Sequence, residues 1–220
     1  VYLQETGYEQ AISSMMYESL WNIDPNNWKP IPGIAYAWET ETTTASGDIQ
    51  DGEKYTFHLY DNATWHDGTD VTSEDVENSV YLWQKSHLSP GEISKYVYKM
   101  ETPDDKTFVM YVNSTGYFLW NDVTSVTITP KSVYGDGQTV NLTTITLPDK
   151  EDMIASGPYM WNEHVESEYV QLLRYEDWRW TDYEGAAQPQ AGFGFEMISV
   201  LFAGFVAIPV IVSRRRKEKI

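Results

Sequence analysis

The most constraining stretch of the sequence is residues 193–212, FGFEMISVLFAGFVAIPVIV, which holds a single charge, Glu196. Twenty predominantly apolar residues at about 1.5 Å each span about 30 Å, the thickness of a hydrocarbon core. Arg214, Arg215, Arg216 and Lys217 follow at once, and cationic flanks stay on the cytoplasmic side of a membrane. The pattern predicts one transmembrane helix over 193–213, in contact with membrane lipid, and a basic tail inside over 214–220. Ahead of it, 184–192 (EGAAQPQAG) is small and breaker-rich and reads as a linker. Residues 1–183 are then one extracytoplasmic domain. Three sequons, at Asn62, Asn113 and Asn141, agree with an outside location as possible N-glycosylation sites.

Charge narrows the partners. The tail carries five basic residues and one acidic, so residues 1–213 hold a net −22 of the chain's −18. A surface this acidic repels phosphate backbones, which argues against nucleic acid, and it favours cationic ligands. With no Cys, disulfides and thiolate zinc sites are excluded. The hydrophobic fraction of 41% is that of a globular domain.

The pattern along the domain is mixed. Ile12, Met15, Met16 and Leu20 have helical spacing within 9–20. Asp24-Pro25-Asn26-Asn27 is a turn, Ile31–Trp38 an apolar run, and Thr40–Gly52 a polar loop. Over Lys54–Tyr60, Tyr55, Phe57 and Leu59 alternate with polar residues as in a strand. Asp67-Gly68 is a turn. Thr72-Ser73-Glu74-Asp75 forms a capping box for a helix with Val76, Val80 and Trp83 on one face, ending near Ser86. Tyr96–Glu101 and Thr107–Val112 make a hairpin across Pro103-Asp104-Asp105. Val123–Thr129 is β-rich, and Gly157–Asn162 with Tyr169–Tyr175 make a second hairpin. Helices and hairpins in this arrangement define an α+β fold.

Nothing in this pattern points to catalysis. His66-Asp67 is better explained by the turn than by acid–base chemistry. The four His (58, 66, 87 and 164) lack metal-ligand spacing, so no metal or other cofactor is expected. The adjacent acids Glu74/Asp75, Asp104/Asp105 and Glu176/Asp177 do not face one another and suit caps, turns and solvent. No nucleophile elbow or phosphate-binding loop is present. The chain reads as a non-enzyme.

Three ordered blocks carry a family resemblance. The first is Tyr17-Glu18-Ser19-Leu20 with Asp24, Pro30-Ile31-Pro32-Gly33-Ile34-Ala35 and Trp38. The second is Tyr55-Thr56-Phe57-His58-Leu59, then Trp65-His66-Asp67-Gly68-Thr69 and Val71-Thr72-Ser73-Glu74-Asp75-Val76. The third is Ser156-Gly157-Pro158-Tyr159 with the run from Leu172 to Trp178. Together these blocks resemble the family 5 extracellular solute-binding proteins, the peptide- and nickel-binding components of ABC importers. Ser73 stands where the family has Ala, and Arg174-Tyr175-Glu176-Asp177-Trp178 departs from the family's N-P-D-Y-W.

The resemblance implies one lobe of a periplasmic-binding-protein-like fold (class II, family 5), covering residues 8–180. In it Trp65, Asp67, Gly68, Thr72, Asp75, Gly157, Pro158 and Tyr159 act structurally. It implies a peptide ligand, an ABC permease partner, and ligand contacts at Thr6, Gly7 and Tyr8 and at Trp120, Asn121 and Asp122. Family members are longer and enclose ligand between two lobes. This chain carries half a site, and a separate chain is one source of the other half. The expected function is a membrane-anchored solute-binding protein of peptide uptake. The alternative is a cell-surface structural or interaction module that kept the lobe and lost transport.

Overall fold

The computed structural model describes residues 7–86, 91–142, 153–165, 168–179, 197–200 and 208–213. Its larger body is an antiparallel sheet in the order β3-β4-β6-β5, built from β3 (Ala35–Thr43), β4 (Gly52–Leu59), β5 (Val97–Asp104) and β6 (Thr107–Val112). The alternation read in β4 sends Tyr55, Phe57 and Leu59 into the core. The neighbouring central strand β6 is apolar on both faces. Phe108, Met110 and Val112 join the core, while Val109 and Tyr111 are covered on the opposite side.

Helix α2 (Ser73–Lys85) crosses the inner face and buries Val76 and Val80. Its start is the expected capping box: the Asp75 amide donates to Thr72 Oγ1 at 3.4 Å and the Thr72 amide to Asp75 Oδ2 at 3.0 Å. The second Asp75 oxygen accepts the Lys131 amide at 2.9 Å, at the start of α5 (Lys131–Tyr134). One carboxylate therefore starts two helices. A short α3 (Gly91–Tyr96) precedes β5, and α4 (Tyr117–Thr124) packs Leu119, Trp120 and Val123 into the same core.

The smaller body pairs α1 (Gly7–Met16) with the hairpin of β7 (Tyr159–Val165) and β8 (Tyr169–Arg174). Met16, Tyr17, Ala155 and Leu172 form its core, with Ile12, Met15, Tyr159 and Trp161 packed around them. Between α1 and β3 in the chain comes the small ribbon β1 (Trp21–Ile23) with β2 (Pro30–Pro32), closed by the expected Asp24 turn, and Trp21 joins the larger core.

Three sequence expectations need correction. The first helix stops at Met16, and Leu20 instead enters the larger core. The segment from Thr40 is not all loop: β3 continues to Thr43, paired with Gly52. Val123–Thr129 is not a strand, because α4 continues to Thr124 and only an isolated bridge, Thr127 to Ser19, follows.

The helix expected over 193–213 is not tested as a whole, because only parts of that segment are described. Its described parts are strands, β9 (Met197–Val200) and β10 (Ile208–Ser213). They extend the hairpin to the order β7-β8-β10-β9, with β10 parallel to β8. Ile198, Val200, Ile208, Val210, Ile211 and Val212 are β-branched and favour extended backbone, while Gly194, Gly204 and Pro209 disfavour helix. Pairing also covers the free edge of β8. No helix among the described residues is long and apolar enough to cross a membrane. Residues 193–196 and 201–207, the linker 184–192 and the tail 214–220 lie outside the described residues.

Candidate functional site

The second and third sequence blocks meet the end of α1, one residue ahead of the first block, at one junction between the bodies. Asp67 and Gly68 form the expected turn: the Gly68 amide donates to the Trp65 carbonyl at 2.9 Å, the Thr69 amide to Asp67 Oδ1 at 2.9 Å, and Gly68 has φ +85. This turn presents His66 to the third block. The His66 amide donates to the Ala155 carbonyl at 2.8 Å, and its Nε2–H donates to the Gly157 carbonyl at 2.9 Å. The Gly157 amide in turn donates to the Met16 carbonyl at 2.7 Å, at the end of α1. Pro158 accepts the Tyr175 amide at 2.8 Å, and Tyr159 opens β7 opposite Arg174.

His66 is therefore a cross-brace between the bodies, a role hidden at the sequence level because its partner is 91 residues away. No cluster of three His, Asp or Glu able to hold a metal occurs among the described residues. Burial holds the His66 imidazole below its ordinary value, against the opposing effects of the Gly157 carbonyl and Asp67. Its Nδ1 is buried without a partner, so protonation would add an unmatched donor. The unfolded chain takes up this proton near pH 6.5 and the folded chain only at lower pH. Stability should accordingly fall as pH drops below about 6.5. We expect the melting temperature of the native protein, relative to that of His66→Gln, to decline between pH 7.5 and 5.5. A constant difference would show that His66 does not titrate differently on folding.

A second linkage was missed in the sequence. Arg179 reaches back 161 residues to Glu18, with Nη1 to Oε2 at 2.8 Å and Nη2 to Oε1 at 2.7 Å. Nη2 also donates to the Gly33 carbonyl at 2.7 Å, and the guanidinium lies over the Tyr60 ring. Burial pushes the Glu18 carboxyl above its ordinary value, and Arg179 opposes the shift. A pair this distant in sequence leaves no local signal beyond an acid and a base inside otherwise apolar blocks.

The expected ligand contacts fall on separate elements. Thr6 lies outside the described residues, Gly7 and Tyr8 open α1, and Trp120, Asn121 and Asp122 lie on α4. Trp120 is mostly packing: its ring lies 4.5 Å from that of Trp21 and 6.0 Å from that of Trp38. One of its edges still lines a recess of about 250 Å³ with Pro30, Trp38, Thr40, Glu53, Tyr55 and Gly116. Strand alternation puts Glu53 on the core-facing side, in line with Tyr55, Phe57 and Leu59, and the Tyr55 hydroxyl donates to Glu53 Oε2 at 2.6 Å. A broader hollow of about 370 Å³ lies between Tyr36, His58, Tyr60 and Lys106. The sequon residues Asn62, Asn113 and Asn141 are all exposed.

This architecture is that of periplasmic solute-binding proteins. A Borrelia burgdorferi periplasmic oligopeptide-binding protein superposes with TM-score 0.62 at 22% identity, covering 96% of this chain and 40% of that one. The oligopeptide-binding protein AppA from Bacillus subtilis, solved with a nonapeptide, gives TM-score 0.61 at 19% identity over 80% of this chain and 34% of that one. Residues 29–194 match the bacterial extracellular solute-binding proteins, family 5 (middle), and the chain belongs to that family. The periplasmic oligopeptide-binding protein OppA of Escherichia coli (strain K12) is 38% identical over 88 residues, which is 40% of this chain and 14% of that protein. A probable peptide-transporter binding protein of Sinorhizobium fredii is 29% identical over 104 residues, 47% of this chain and 18% of that protein. The chain thus spans less than a fifth of these two relatives and about two fifths or less of the two solved chains.

Proposed function

We propose that this chain is part of a peptide-type solute-binding protein serving ABC-type uptake. The observation that carries the reading is the junction at His66, Gly157 and Met16, where the second and third family blocks meet the end of α1, one residue ahead of the first block, in one hydrogen-bonded unit. Gly7, Tyr8, Trp120, Asn121 and Asp122 supply this chain's share of the ligand contacts. The opposing wall comes from further sequence or from another chain. The permease of an importer is the expected transport partner.

Residues 193–213 attach the protein to its membrane, with 214–220 inside and 1–190 outside. In a bilayer the segment would exchange its pairing with β8 for the internal hydrogen bonds of a helix, since lipid satisfies no strand edge. Protease added to right-side-out vesicles should then digest residues 1–190, and their protection would reverse the orientation. The exposed side chains of Trp28 (76%) and Phe118 (81%) favour a second reading, in which the same lobe is an interaction module at the cell surface.

The deciding experiment titrates short basic and acidic peptides into the full chain in non-ionic detergent at two salt concentrations. One wall buries less ligand than a closed cleft, so dissociation constants on the order of 0.1–1 mM are expected. Basic peptides should bind more tightly, and salt should weaken the preference. Failure of every peptide to bind at about 10 mM would overturn peptide recognition by this chain and leave the interaction module.

A further inference from the structure

We propose that the recess between Trp38 and Trp120, with Glu53 at its edge, binds an alkylammonium group. Its lining includes the indoles of Trp38 and Trp120, which pack on each other with ring centroids 6.0 Å apart and planes inclined at 39°, and Trp120 rests on the Trp21 ring at 4.5 Å. An indole is the best neutral partner for an organic cation, and the Tyr55 ring lines the same recess.

The carboxylate supplies the complementary charge. Period-two alternation along β4 carries Glu53 onto the same face as Tyr55 and Phe57, and the opposite strand places Thr42, Thr40 and Trp38 across from Glu53, Tyr55 and Phe57. A carboxylate on the inner face of a sheet is costly unless that end is open to a partner. Here the inner face ends at the recess. The Tyr55 hydroxyl holds Glu53 Oε2 at 2.6 Å, which fixes the side chain and leaves Oε1 for a second donor. No lining residue is basic, so the protein fills the site with no cation of its own from that lining. The chain's net charge of −18 raises the local concentration of cations around it. At about 250 Å³ the recess suits a trimethylammonium or the end of a lysine side chain, not a whole peptide. The site shares Trp120 with the proposed peptide contacts but requires neither a second lobe nor transport.

The test uses two matched pairs of probes on the full chain in non-ionic detergent: choline against 3,3-dimethylbutan-1-ol, and N-acetyl-lysine methylamide against its norleucine counterpart. Binding is read from the indole ¹H–¹⁵N signals, with Trp38 assigned through its loss in W38F and Trp28 serving as an exposed control. We expect the cation of at least one pair to bind with a millimolar dissociation constant and to shift the Trp38 signal, while its neutral partner binds at least about fivefold more weakly. A preference in the choline pair identifies a small quaternary solute, and one in the lysine pair a peptide side chain. E53Q keeps a hydrogen-bond acceptor for Tyr55, and W38F keeps a ring, so both should melt normally. Each should weaken binding roughly fivefold. Equal binding of cation and neutral probe in both pairs, shifts confined to Trp28, or unchanged affinity in E53Q and W38F would overturn the proposal.

Discussion

Arg179→Ala should remove about 3–5 kcal/mol of stability. The Glu18 and Arg179 side chains are only 7% and 4% exposed, so the variant leaves a carboxylate in the interior with its main counter-charge gone. The same change orphans the Gly33 carbonyl and uncovers the Tyr60 ring. Burial already pushes the Glu18 carboxyl up, and without the guanidinium it rises further. In the variant the neutral acid is the form that fits the fold. A group whose folded value lies above its unfolded one contributes stability at low pH and loses it as pH rises. The deficit measured by urea unfolding should therefore be smaller at pH 5 than at pH 7.5. Adding Glu18→Gln to Arg179→Ala should recover part of it at neutral pH. A loss under about 1 kcal/mol, equal at both pH values, would mean that the pair contributes no more than an exposed one.

Gly157→Ala should be nearly as damaging. A Cβ there would sit 2.5 Å from the Met16 carbonyl oxygen, 2.8 Å from its carbon and 3.0 Å from the Met15 carbonyl oxygen. These are backbone atoms at the end of α1, so no side chain can swing aside. Either α1 lifts from the hairpin or the bond from the Gly157 amide to Met16 breaks. Overpacking of this kind costs about 3 kcal/mol, roughly 6–12 °C in melting temperature for a chain of this size. Gly47→Ala is the control: its φ of +63 carries strain, but nothing lies within 4 Å of the added methyl, and about 1 kcal/mol is expected. Similar losses at both positions would show that the close approach of α1 to Gly157 is not what requires glycine.

Where the chemistry of the sequence is local, the fold was legible in it. The alternation of Tyr55, Phe57 and Leu59, the Thr72–Asp75 box and the two hairpins depend on neighbours within a few residues, and all occur as expected. The polar end of β3 was not legible. Glu39, Thr40, Glu41 and Thr42 lie on an edge strand facing solvent, and only pairing with β4 distinguishes such a run from a loop. Helix α4 was missed because Gly116 gives it no side-chain cap and its last turn holds the β-branched Val123 and Thr124. At the candidate site Trp120 was visible as a large aromatic, but its stacking on Trp21 was not. Glu53 was overlooked because an acid at the start of a strand ordinarily points to water. The apolar run at 193–212 satisfies the length rule for a membrane helix, and its β-branched residues also suit the described strands β9 and β10.

The clasp between Glu18 and Arg179 also sets an order of events during synthesis. Residues 20–142 contain the four strands and the helices of the larger body, so that body can close soon after they leave the ribosome. Glu18 precedes all of them and Arg179 follows all of them. At roughly 5–20 residues per second, Arg179 is made about 2–7 s after residue 142. Until then the Glu18 carboxylate lacks its counter-charge, although its carbonyl can already accept the Ile128 amide, and α1 lacks the hairpin on which it packs. The junction of the two bodies is thus the last part to assemble, and Gly7–Tyr17 acquire their structure together with residues 153–179.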